Sequence, residues 1–191
     1  MILNKVFAAN STAQHSKLQQ YAVLLLLLLI VVSLTACGFK LRGATPLPFN
    51  SLYTNINSQS PFGAQIIRGI RANSPNTRIV DEASEAEVRL VQIYNRRTRK
   101  EMSLTIDGKV EEYELGLYVS FTLVDQAGNT LLAPTTLSNL RLLPYDEDNS
   151  AAKAAEMQQL YTDMERNIAT SILQRITSDD VIQRYHQLRG N

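Results

Sequence analysis

Residues 113–123 read Tyr113-Glu114-Leu115-Gly116-Leu117-Tyr118-Val119-Ser120-Phe121-Thr122-Leu123. Tyr113, Leu115, Leu117, Val119, Phe121 and Leu123 fall on one side of a period of two, and Glu112, Glu114, Ser120 and Thr122 on the other. Successive side chains of a strand point to opposite faces, so this is a strand with one face buried and one solvated. Upstream stands Asp107-Gly108, a hairpin signal that points to a type I′ turn with positive φ at both central residues. The strand it joins covers about residues 86–106, apolar at Val88, Leu90, Val91, Ile93 and Tyr94 and then basic at Arg96, Arg97, Arg99 and Lys100. Downstream, Gln126-Ala127-Gly128-Asn129 makes the next turn and residues 130–143 a further strand. Pro134 has no N–H for a ladder, which puts its part of that strand at an edge or a bulge.

Helices flank this meander. Ser60-Pro61 reads as a start signal, Ser as the capping acceptor and Pro where its missing N–H is not needed. Phe62, Ile66, Ile67 and Ile70 then recur at helical spacing until Asn73-Ser74-Pro75 stops the run. Residues 150–176 hold no Gly or Pro and carry Met157, Leu160, Tyr161, Met164, Ile168, Ile172, Leu173 and Ile176 as an apolar stripe. With a first strand near residues 51–57, the order is strand, helix, three strands, helix. The economical architecture is α+β, a two-layer sandwich with two helices on one face of a four-stranded, mostly antiparallel sheet, its other face open. The boundaries are a leader over 1–36, a modified Cys and tether over 37–50, the sandwich over 51–177 and a tail over 178–191.

The 191 residues carry 19 Lys+Arg and 18 Asp+Glu, a formal charge of +1. That balance excludes a globally basic nucleic-acid binder, because phosphate neutralisation needs clustered surplus charge. The composition is 45% hydrophobic, enough to bury a core, and a single Cys leaves no disulfide framework and no multi-cysteine metal site.

The N-terminus is a targeting segment. Lys5 and Lys17 precede residues 22–34, thirteen residues without a charge. A bilayer-spanning helix needs roughly 20 apolar residues, whereas a signal peptide's apolar region needs about 7–15. Leu34-Thr35-Ala36-Cys37 follows at once and resembles the lipobox of bacterial lipoproteins, in which cleavage before Cys leaves an acylated thiol at the new N-terminus. Acyl chains contribute about 0.8 kcal/mol per buried methylene, so an acylated Cys37 would hold the domain on a membrane without crossing it. In such lipoproteins Asp after the Cys favours retention in the inner membrane; Gly38 argues for the outer membrane. The remaining 155 residues hold 17 basic and 18 acidic side chains and one His, His186.

Catalytic constellations are scarce. Ser or Cys nucleophiles usually need an imidazole, and His186 lies near the chain end. No G-x-S-x-G, P-loop, G-x-G-x-x-G, H-E-x-x-H or calcium loop occurs. Asp146, Glu147 and Asp148 stand together, either as the acidic lead-in of a helix or as carboxylates of a cell-wall hydrolase. The run Arg96, Arg97, Arg99, Lys100 is either a solvated strand edge paired with Glu112 or Glu114, or a patch for anionic lipid head groups. Lys40 and Arg42 beside the anchor carry the same two readings.

Taken together, Leu34-Thr35-Ala36-Cys37-Gly38-Phe39-Lys40-Leu41-Arg42-Gly43 resembles the start of the LPS-assembly lipoproteins, the lipoprotein subunit of the outer-membrane lipopolysaccharide translocon. The rest follows in order: a helix with basic residues, a polar-Gly hairpin before Glu112-Tyr113, a strand containing Pro134 and a long C-terminal helix. The resemblance covers most of residues 37–177. It implies a sandwich of two helices on four strands that plugs the lumen of a large outer-membrane β-barrel, one to one, and touches lipopolysaccharide through basic residues. Lys153 matches a Lys of the family, with Met164 in register after it. Where the family has a basic residue before the first hairpin turn this chain has Ile106, and Lys109 after the turn is the candidate substitute. The expected contacts are therefore Lys153 first, then Arg96, Arg97, Arg99, Lys100 and Lys109. No cofactor, metal or nucleic acid is expected. The alternatives are a lipid-anchored periplasmic adaptor without a barrel partner, and the hydrolase.

Overall fold

The computed structural model describes residues 25–26 and 46–190. The expectations for Cys37, Lys40 and Arg42, and for all of the leader but the helical pair 25–26, lie outside the described residues. From residue 46 the chain runs β1 (Ser51–Thr54), α1 (Pro61–Asn73), β2 (Arg78–Val80), β3 (Val88–Leu104), β4 (Val110–Asp125), β5 (Thr130–Pro144), α2 (Ser150–Ile176) and α3 (Asp179–Arg189). Single 3₁₀ turns stand at Ala83–Glu85 and Glu147–Asn149.

The sheet corrects the expected architecture. It has five strands, ordered β2-β1-β3-β4-β5, and it is mixed: β1 pairs in parallel with both β2 and β3, while β3, β4 and β5 form an antiparallel meander. The missed strand is β2, three residues long. Three residues offer no alternation to count, and β2 is a strand only because the α1 crossover returns it beside β1, pairing Ser51 with Arg78 and Tyr53 with Val80. The 178–191 segment, left without structure in the reading of the sequence, carries a third helix, α3, with Val181 and Tyr185 buried.

The core lies on the side of the sheet where the odd-numbered residues of β4 point. Leu115, Leu117, Val119, Phe121 and Leu123 are each 0% exposed. Against them pack Phe62, Ile66 and Ile70 of α1 and Met164, Ile168, Ile172 and Ile176 of α2, in one contiguous cluster. The Ser60 hydroxyl accepts the Gly63 N–H at 3.0 Å and Pro61 opens α1, as the start signal required. Leu47 and Phe49, assigned above to the tether, belong to this core, so the chain is already docked before β1 begins.

Both long hairpins turn the same way, and neither does so through a type I′ turn. Thr105 N–H donates to Lys109 O, Gly108 N–H to Thr105 O, and only Gly108 has positive φ, at 78°. Asp125 N–H donates to Asn129 O, Gly128 N–H to Asp125 O, and Gly128 has φ 90°. This is the three-residue loop in which a tight turn ends on a left-handed Gly, so Asp107 keeps an ordinary φ. Pro134 sits in edge strand β5 at a break in register between the pairs Phe121–Thr135 and Leu123–Leu132, satisfying both of its expected constraints.

Candidate functional site

Strand alternation divides the basic run. Arg97 is opposite Leu117 and Arg99 opposite Leu115, which places both on the helix side of the sheet; Arg96 is opposite Tyr118 and Lys100 opposite Glu114, on the open side. The four residues therefore do not form one patch. Arg97 is occupied: its Nη2 lies 2.7 Å from Glu165 Oε1 of α2, and its guanidinium stands 4.8 Å from the Tyr161 ring centroid. The Tyr161 hydroxyl donates to Thr98 O at 2.7 Å, so this group of side chains fastens α2 to β3. Burial holds the Tyr161 phenol above its ordinary pKa, against the opposing pull of Arg97 and Arg99. On the open side Arg96 stacks 5.4 Å from the Tyr118 centroid and Lys100 faces Glu114, the cross-strand partner expected for the cluster.

Arg99 leads elsewhere. Its guanidinium lies 4.8 Å from the Tyr113 centroid, and Tyr113 meets Tyr145 edge-on at 5.0 Å. Tyr145 lines a cleft of about 290 Å³ at the end of the β3–β4 hairpin, together with Thr105, Lys109, Asp146 and Glu147. Lys109 reaches Glu147 at 3.1 Å, and Lys153, on the first turn of α2, reaches Glu156 at 2.8 Å. The Asp146 carboxylate is held below the usual range by the Asn149 amide and the Asp148 N–H, with Lys153 and Lys109 acting on it as charges. Lys109 thus pairs with the acidic turn across the sandwich end, whereas Lys153 pairs within its own helix and acts on that turn only as a charge.

That turn shows what the acidic triplet does. Asp146 Oδ1 accepts from Asp148 N–H at 3.0 Å and Oδ2 from the Asn149 side chain at 2.7 Å, capping the 3₁₀ turn that leads into α2. This is the helix lead-in of the two readings. Among the described residues no group of three metal-ligating side chains forms. Nor is any described helix long and apolar enough to cross a membrane.

The same hairpin end carries side chains not singled out from the sequence as a group. Met102, Leu104 and Ile106 are 46%, 55% and 102% exposed, beside Lys109. The available signal was three apolar residues leading into an Asp-Gly turn, where a solvated tip is ordinarily polar. The end of the sandwich therefore pairs cations with exposed apolar surface, the two features an anionic amphiphile needs.

The comparisons with known proteins bear on the whole sandwich. The family model "LptE: Lipopolysaccharide-assembly" matches residues 49–176. An LPS-assembly lipoprotein LptE of Pectobacterium atrosepticum is 24% identical over 155 residues, covering 80% of this chain and 83% of that protein. That of Yersinia pestis (strain Pestoides F) is 28% identical over 162 residues, covering 82% and 76%. Among solved structures, lipoprotein B from Nitrosomonas europaea superposes with a TM-score of 0.61 at 30% identity, over 73% of this chain and 90% of that one. The rare lipoprotein B from Shewanella oneidensis does so with a TM-score of 0.58 at 28% identity, over 69% and 97%. With the match running from the last docked tether residues to the end of α2, and the same sandwich in solved lipoproteins, the chain belongs to the LptE lipopolysaccharide-assembly family.

Proposed function

We propose that this chain plugs and helps assemble a large β-barrel lipopolysaccharide translocon, one copy per barrel, anchored by an acylated Cys37 on the periplasmic side of the outer membrane. Family membership carries the coarser statement, an outer-membrane lipoprotein of lipopolysaccharide assembly whose role is not enzymatic. In the proposed role the lipopolysaccharide contact is the hairpin end, with Lys153 and Lys109 as the leading cations and Arg99 behind them. Arg96 and Lys100 are outlying contacts on the open face, and Arg97 is a brace within the fold.

The observation that carries this reading is the Lys109–Glu147 pair at the hairpin end that also exposes Leu104 and Ile106, with Lys153 in the first turn of the helix that follows. A phosphorylated glycolipid offers anionic oxygens for the cations and acyl chains for the apolar tip. Exposed charge contacts contribute about 0–1 kcal/mol each, which suits a site that must release what it touches.

The test is a pull-down of the C-terminally tagged chain from outer membranes in mild detergent, with and without Lys153→Glu. A single large β-barrel at equal stoichiometry, retained by the variant while lipopolysaccharide binding falls, is the expected result. Recovery of the chain alone, where other barrel complexes survive, would overturn the plug. Unchanged lipopolysaccharide binding in the variant would overturn the contact site.

A further inference from the structure

At the end of the sandwich formed by β1, the start of β3 and α3, one carboxylate gathers segments far apart in the chain. Glu87 precedes β3. Its Oε2 accepts the Asn50 backbone N–H at 3.1 Å and the Tyr185 hydroxyl at 3.0 Å, and its Oε1 accepts the Asn50 side-chain amide at 3.2 Å. Arg189 adds an ion pair at 3.5 Å and lays its guanidinium 5.0 Å from the Tyr185 centroid. The Tyr185 ring lies 5.7 Å from that of Phe49, which is 1% exposed. Tyr185 and Arg189 are on α3, which lies beyond the region matched by the family model; Phe49 and Asn50 are the last residues before β1.

We propose that α3 is a clasp on the tether: through Tyr185, Arg189 and Glu87 it locks Leu47–Asn50 onto the fold and so sets at which residue, counted from residue 37, the docked fold begins. The segment has a second hold, because Leu47 N–H donates to Ser74 Oγ at 2.8 Å and Thr77 Oγ1 donates to Phe49 O at 2.9 Å. Undocking requires both holds to let go. The undocked population therefore scales with the loss of either one, and weakening the α3 side raises it in proportion. With the clasp closed, the docked fold begins at Leu47, ten residues after residue 37, a reach of at most about 35 Å of extended backbone. Opened to the start of β1, the reach would gain four residues and about 14 Å. The step from this reach to a membrane distance rests on the reading of Cys37 as the acyl anchor; the clasp itself does not.

Hydrogen exchange on the full chain in detergent tests this, with Tyr185→Phe and Glu87→Gln beside the parent. Both substitutions keep side-chain size, so folding is retained. Exchange at Leu47, Phe49 and Asn50 should rise roughly tenfold, the ratio for one hydrogen bond to a charged group, while amides of β4 keep their protection. Unchanged exchange at those three amides in both variants overturns the clasp. An equal rise throughout β4 also overturns it, since α3 would then support the whole fold and no tether in particular. The mass of the intact chain, measured on the same sample, reports acylation of Cys37: an unmodified thiol with the local exchange effect intact would refute the anchor and leave the clasp standing.

Discussion

At the scale of single residues, Glu87 shows how a charge beside a core is held. Burial pushes its carboxyl upward, but the Asn50 N–H, the Asn50 amide, the Tyr185 hydroxyl and Arg189 together outweigh that and leave it below 4.5. A carboxyl lowered in the folded state contributes stability that is present above its unfolded value and lost as pH falls through the folded one. The difference in urea stability between the parent and Glu87→Gln is therefore expected to be largest near neutral pH and to shrink below about pH 4.5. A difference that stays constant down to pH 3 would show that the ionised form does not matter. Tyr185, its partner, is pushed up to about 12 by burial first and then by Glu87. The pairing was not legible from the sequence, because Glu87 stands in a short polar connection and the helical spacing of Val181, Ile182, Tyr185 and Leu188 shows a buried face without saying what it is buried against.

At the scale of elements, long strands and helices declared themselves and short ones did not. The β4 alternation and the α2 stripe extend over 16 and 27 residues, so many independent positions repeat the same message. β2 had three and could not. The basic run is the instructive case. Its two readings were put to all four residues together, whereas the pleat assigns them alternately to the two sides of the sheet. Arg97 illustrates the consequence, since it joins β3 to α2 through Glu165 and Tyr161. Arg97→Ala is expected to lower stability by about 1 kcal/mol in urea unfolding, and Arg96→Ala, with its side chain on the open face, by no more than about 0.5 kcal/mol. Equal losses would refute the division of the cluster by face.

At the scale of the molecule, β1, β3, β4, β5 and all three helices supply a single contiguous core. Residues 46–190 should accordingly unfold as one cooperative unit. The chain has no Trp, so tyrosine fluorescence is the tertiary probe, and its urea transition is expected to coincide with that of far-UV circular dichroism. Leu117→Ala, at a fully buried position, should shift both equally by about 2–5 kcal/mol. A helical signal persisting after the fluorescence change would mean that α2 or α3 is stable without the sheet. The two sheet edges differ: β2 is too short to template another strand, while β5 runs fifteen residues with Pro134 and Arg141 as its interruptions.

The sequence by itself determined the α+β class, the hairpin positions, the limits of α2, and the resemblance that the family match establishes, because periodicity, caps and turn residues are local and repeat along the chain. Only the tertiary structure decided that the sheet is mixed and five-stranded, that Lys109 pairs with the acidic turn before α2, and that α3 meets the docked tether. Each of these depends on contacts between residues tens of positions apart, and such a contact leaves no trace in the periodicity of either partner.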